Sequence, residues 1–213
     1  MVNKLKGKIE EICILSNKIK SKEIIKNSIK DVLRLKGVEI RITDFEAKAE
    51  LRLGMAFSDI DYFIQRVEYP MGLNLELLLS LLEREAKVTP PPHYNFFITE
   101  KELFIESYAE RLSPFGGYSK HAVVISLNRL KDFGRKTRNQ LIRQLTYYFF
   151  GRLLGIPNKE RNSVEKVYRD LSCTNICSMR RPVLLEDLVK YAKQRVRVGR
   201  IYCEACEEDL KKI

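Results

Sequence analysis

The feature that most constrains this 213-residue chain is its last 41 residues, which hold four of its five cysteines. They form two close pairs, Cys173-Thr-Asn-Ile-Cys177 and Cys203-Glu-Ala-Cys206, on either side of a segment patterned as a helix. Two such pairs brought together by the helix make a tetrahedral thiolate set, the geometry of a structural zinc site. Two disulfides are the competing pairing, and a reducing compartment argues against them. The N-terminus, MVNKLKGKIEEICIL, lacks the long apolar core and small-residue cleavage site of a secretory signal. No apolar run approaches the roughly 20 residues of a membrane span. A cytoplasmic protein without a membrane partner is expected, with one structural zinc on Cys173, Cys177, Cys203 and Cys206. Cys13 stands alone in an apolar run and reads as core packing.

Upstream, the periodicity changes. EEICIL (10–15) predicts a strand, KEIIKNSIKDVLRLKG (22–37) an amphipathic helix and VEIRIT (38–43) a second strand. MAFSDIDYFIQRVEY (55–69) suggests a further edge strand, and LNLELLLSLLEREAK (73–87) carries a helical apolar stripe that TPPP stops. YNFFITEKELFIE predicts two strands around a Glu-Lys turn, FGG (115–117) a loop, and KHAVVISL a buried strand. Helices are expected at about 135–154, 161–171 and 183–195. The expected fold class is α/β (α+β): a mixed β-sheet with flanking helices and a helical, zinc-closed C-terminal part. It forms one domain over 1–213, sheet-rich to 134 and helical from 135.

Net charge is +11, unevenly spread. Residues 129–200 hold eighteen Lys/Arg against six Asp/Glu, a net +12, whereas residues 37–128 are net −5. Enrichment in Lys, Arg and Glu is ordinary in thermophile proteins, but it usually adds both signs. A lopsided basic block points to a polyanion.

The segment YYFFGRLLGIPN (147–158) completes a pattern with the cysteines. FFITEKELFIE, FGG and KHAVVISLNRL, then this helix, then CTNICSM with Met179, then CEAC, resemble in order the archaemetzincins, a family of metzincin proteases. That family carries His-Glu-x-x-His-x-x-Gly-x-x-His for a catalytic zinc, a methionine turn beneath it, and a cysteine set for a second, structural zinc. The resemblance implies a metzincin-like fold with a central sheet. With Gly155 on the motif glycine, the first histidine becomes Tyr148, the catalytic glutamate Phe149 and the second histidine Arg152. The third histidine becomes Asn158, or Ser172 if alignment starts from the cysteines. None is a usual zinc ligand, and the base that would activate water is missing. The two histidines, His93 and His121, lie outside this helix. The first cysteine pair is one residue closer than in the family, and residues 159–172 look inserted. The expectation is a degenerate, non-catalytic member with one zinc and not two.

Three functions follow. The first is binding of RNA or a ribonucleoprotein such as the ribosome through Arg135, Lys136, Arg138, Arg143, Arg180, Arg181, Arg195, Arg197 and Arg200, with Tyr147, Tyr148 and Tyr168 for stacking. Arg180 and Arg181, ahead of Pro182, are expected to point outwards. The second is a DNA-binding regulator that uses Asn162 to Leu171 as a reading helix, although its turn is too long for the usual motif. The third is a pseudoprotease that holds a protein or peptide partner along the old cleft.

Overall fold

The computed structural model describes residues 11–16, 19, 21–46, 68–69, 72–88, 93–105, 112–167 and 170–213. The chain divides into two compact units, Met1–Lys22 with Ile40–Asn128, and Glu23–Glu39 with Arg129–Ile213. This differs from a simple cut at 134. The first helix groups with the C-terminal residues.

The first unit contains β1 (Glu11–Ser16), β2 (Arg41–Glu46), β3 (Glu68–Tyr69), β4 (Gly72–Asn74), α-helix Leu75–Val88, β5 (His93–Thr99), β6 (Leu103–Phe104), β7 (Leu112–Ser113), β8 (Gly116–Tyr118) and β9 (Ala122–Ser126). Six strands form one sheet in the order β2-β1-β5-β9-β8-β7. The first four are mutually parallel, β8 is antiparallel to β9, and β7 is antiparallel to β8. Parallel strands buried on both faces read as continuous apolar runs. So it is here: Ile12, Ile14, Phe96, Val123 and Ile125 are buried on one face and Cys13, Leu15, Phe97, Ala122 and Val124 on the other. The second set packs with Leu75, Leu78, Leu79 and Leu82, the stripe of the helix. Each fully buried leucine contributes about 2 kcal/mol of transfer free energy, so packing fixes this helix more than propensity does.

Three expectations shift. The second strand begins at Arg41 because Gly37 and Val38 are spent capping the preceding helix, with Val38 N–H donating to Leu33 O. FGG is not a loop: Gly116 lies in β8 at φ +146, and a Cβ there would sit 2.0 Å from Val124 O of β9. Only glycine allows that approach. The two strands of YNFFITEKELFIE do not pair with each other; β6 joins a small sheet of order β3-β4-β6. The 55–69 segment lies outside the described residues except for Glu68 and Tyr69.

The second unit contains α1 (Lys22–Lys36) and, numbering the helix of the first unit α2, α3 (Arg135–Leu153), β10 (Val164–Val167), β11 (Asp170–Cys173), α4 (Leu185–Val198) and α5 (Glu204–Lys212). From Leu141 to Leu153, α3 is buried almost all round, which marks an interior helix. The helix expected at 161–171 is instead the antiparallel hairpin β10–β11, with Val164 opposite Cys173. Val164, Val167 and Leu171 have helical spacing, but the partners of Asp170 and Cys173 hold those residues in a strand. No helix among the described residues is long and apolar enough to cross a membrane.

Candidate metal centre and the adjoining helix site

Each cysteine sits at a turning point of the second unit. Cys173 ends β11, Cys177 lies in the turn that follows, Cys203 caps α5, and Cys206 lies in its first turn. The Cys173 N–H donates to Met179 O and the Ser178 N–H to Ile201 O, which ties the turn to the start of α5. All four sulphurs lie within 4.8 Å of one another, and Cys173 Sγ is 3.7 Å from Cys203 Sγ. A ZnS4 tetrahedron with bonds of about 2.3 Å has edges of about 3.8 Å. The donor set fits one structural zinc. Cys173, Cys177 and Cys206 are buried, so such an ion would have four protein ligands and no open position.

The electrostatics agree. The hydrogen bond with Cys177 holds the Cys173 thiol below its ordinary range, and the bond with Cys173 does the same for Cys203. Contact with Cys173 pushes Cys177 and Cys206 above it. Four thiols this close cannot all ionise unaided, and a bound dication removes the conflict.

Beside this centre, α3 places Tyr148 and Arg152 one turn apart on one face. Both reach Asp170 of β11: Tyr148 OH donates to Oδ2 at 2.9 Å and Arg152 Nη2 to Oδ1 at 2.8 Å. Arg152 Nη1 also donates to Ile156 O at 2.8 Å. Arg181 also approaches this carboxylate, with Nη1 3.7 Å from Asp170 Oδ2 and 2.8 Å from Val167 O. Phe149 is buried edge-on to Tyr148. Met179 does lie beneath the helix: a Cβ on Gly151 would come within 2.4 Å of its sulphur.

The sequence pattern hides Asp170, because the apolar spacing around it reads as a helix. Its signal was its place three residues before Cys173. Neither candidate for the third ligand position turns toward Tyr148 and Arg152 through a hydrogen bond. Asn158 is exposed and its side chain accepts from the Glu160 N–H, while Ser172 Oγ accepts from the Arg181 N–H. His93 and His121 both belong to the sheet unit.

The basic residues divide. Arg135, Lys136, Arg197 and Arg200 are exposed, Arg200 in a 2.8 Å pair with Glu204. Arg138 is half-buried, and Arg143 lies 3.6 Å from Asp31. Arg180 stacks on Tyr191 at 4.4 Å. Arg181 is buried on Asp170, which corrects the expectation that it points outwards: a buried carboxylate claims the guanidinium. Arg195 is likewise committed, over the Tyr147 ring and bonded to Gln144, and burial lowers its pKa. Tyr147 and Tyr148 are interior, so they are not stacking platforms; Tyr168 lies outside the described residues.

No protein-family model and no curated protein matches this sequence. The structure is similar to the crystal structure of archaemetzincin from Methanopyrus kandleri, with TM-score 0.65 and 15% identity over 97% of this chain and 96% of that one. It is also similar to a zinc-dependent peptidase from Methanocorpusculum labreanum, at TM-score 0.48 and 13% identity over 93% and 99% of the two chains. At this identity the likeness to the first is one of fold. The fold is the archaemetzincin fold, as the sequence pattern implied.

Proposed function

We propose that this chain is a non-catalytic protein on the archaemetzincin fold that binds RNA or a ribonucleoprotein, such as the ribosome, through the basic surface of its helical unit. The buried network of Tyr148, Arg152, Asp170 and Arg181 carries the first half. Metal-assisted hydrolysis needs an open metal position and a base for its water. The positions assigned to two histidines and that base hold a bonded phenol, a guanidinium and a phenyl ring. A fixed cation at Arg152 opposes a second one. Cleavage of a peptide library by the zinc-supplemented protein, abolished by a chelator, would overturn this half.

The RNA half rests on Arg135 and Lys136, exposed in the first turn of α3. Cations there face the positive end of the helix dipole at a cost of a few tenths of a kcal/mol each, so helix stability does not explain them. Its N-cap is Gly134, which has no side chain to cap the first-turn N–H groups, and such a turn favours a phosphate. Arg197 is a weaker witness, since the last turn of α4 favours a cation anyway. Binding of structured RNA should weaken steeply with salt, and Arg135→Ala with Lys136→Ala should reduce the log–log slope by about 2. An unchanged slope refutes this surface. Retention of a protein, with no nucleic acid, by the native protein would favour the peptide-holding reading. The DNA-reading helix is not carried forward, because Val164–Val167 and Asp170–Cys173 are strands.

A further inference from the structure

The segment that looked like an insertion between the helix and the cysteines returns onto the metal centre. Arg161 Nη2 lies 3.3 Å from Cys173 Sγ and 3.2 Å from Cys206 Sγ, one from each pair. Its Nη1 donates to Asp209 Oδ2 at 2.8 Å, and the Asn158 N–H donates to that same oxygen at 2.9 Å. The Thr174 N–H closes the segment on Ser163 O at 3.1 Å. The other two sulphurs are also met by N–H groups: Cys203 by Asn175 Nδ2 at 3.6 Å, and Cys177 by the backbone N–H groups of Met179 at 3.4 Å and Cys203 at 3.3 Å. Every sulphur therefore accepts at least one N–H. Among the described residues, only Arg161 brings a charge.

Four thiolates and one Zn2+ carry a net charge of −2, in a site that is largely closed to water. Donors aimed at ligand sulphurs spread that charge and hold the ligands in place, and losing such a partner typically costs about 10–100-fold in metal affinity. A guanidinium is suited to span two sulphurs and a carboxylate at once, because its donors form a rigid planar fork; an ammonium is a single point. Its side chain is only 16% exposed, so bulk solvent does not readily replace it.

We propose that Arg161 is the positioning residue that retains zinc in the cysteine centre, and that the strap Asn158–Ser163 serves as that centre's outer shell. The position that the protease motif would give to a third histidine, Asn158, thereby anchors the structural metal through Asp209.

The test is zinc affinity, by competition with a chromogenic chelator, for the full chain and for Arg161→Lys, Arg161→Ala and the surface control Lys193→Ala, an exposed residue of α4. Arg161→Ala should weaken zinc binding by about 10–100-fold, Arg161→Lys by less, and Lys193→Ala by less than about 2-fold. Zinc release into excess chelator should follow the same order. If Arg161→Ala does not fold, Arg161→Lys alone decides: affinity within about 2-fold of the parent refutes the proposal. Lower thermal stability in either variant with unchanged affinity and release would also refute it, reducing Arg161 to a clamp on Asp209.

Discussion

Removing the Asp170 carboxylate tests the buried network that joins α3 to β11. Asp170→Ala leaves Arg152 and Arg181, whose side chains are 9% and 6% exposed, without the anion between them. It also removes the acceptor for Tyr148 OH and for the Leu171 N–H. Breaking a buried ion pair from one side typically costs about 3–5 kcal/mol, because the remaining charge stays desolvated. For a chain of this size, 1 kcal/mol moves the thermal midpoint by roughly 2–4 °C, so a fall of about 6–20 °C is expected. Asp170→Asn keeps the shape and part of the bonding and should cost less, roughly 1–3 kcal/mol. The chain has no tryptophan, so urea unfolding of zinc-saturated protein is followed by far-ultraviolet circular dichroism. A double-mutant cycle with Arg152→Ala should show strong coupling, since the second truncation removes a charge already stranded. A loss for Asp170→Ala below about 1 kcal/mol, the range of an exposed pair, or zero coupling would refute the reasoning.

Metal analysis should return about one zinc per chain, and chelation should lower the thermal midpoint, as should Cys173→Ser or Cys206→Ser in excess zinc. Cys13→Ala should cost only about 1 kcal/mol of core packing. Gly151→Ala should destabilise by roughly 1–3 kcal/mol through collision with Met179, despite alanine's better helix propensity; a stabilised variant would show that the methionine does not press on the helix. Burial pushes the Tyr94 phenol up to about 12. The folded state then holds a proton that the unfolded chain releases near pH 10, so this contribution is complete below about 10 and lost as pH rises toward 12. Urea titrations across that window should show Tyr94→Phe losing less stability than the parent; parallel curves would exclude Tyr94 as a source.

Much of the site was legible because its signals are local. Two close cysteine pairs, one at the CxxC knuckle spacing and one a residue looser, announce a tetrahedral set whatever the path between them, and the structure brings Cys173, Cys177, Cys203 and Cys206 together. The apolar runs around Ile12–Leu15 and Val123–Ile125 announced strands, and LNLELLLSLLEREAK its helix, while the parallel pairing of those strands came from the tertiary structure. The methionine beneath the helix is what the resemblance to the archaemetzincins implied, and Met179 lies against Gly151. The stretch 161–171 failed because its apolar spacing fits a helix as well as an alternating strand.

By itself, the sequence determined the ligand types, the order of the segments and the absence of histidine from the α3 helix. Those are properties of residues and their neighbours along the chain. Only tertiary structure decided which charges were spent internally. Arg152, Arg181, Arg195 and Arg161 look alike in the sequence to Arg135 and Arg197. Burial beside Asp170, Tyr147, Gln144 and the cysteine sulphurs separates them, because a guanidinium loses its hydration there and must be repaid by a partner from a distant part of the chain.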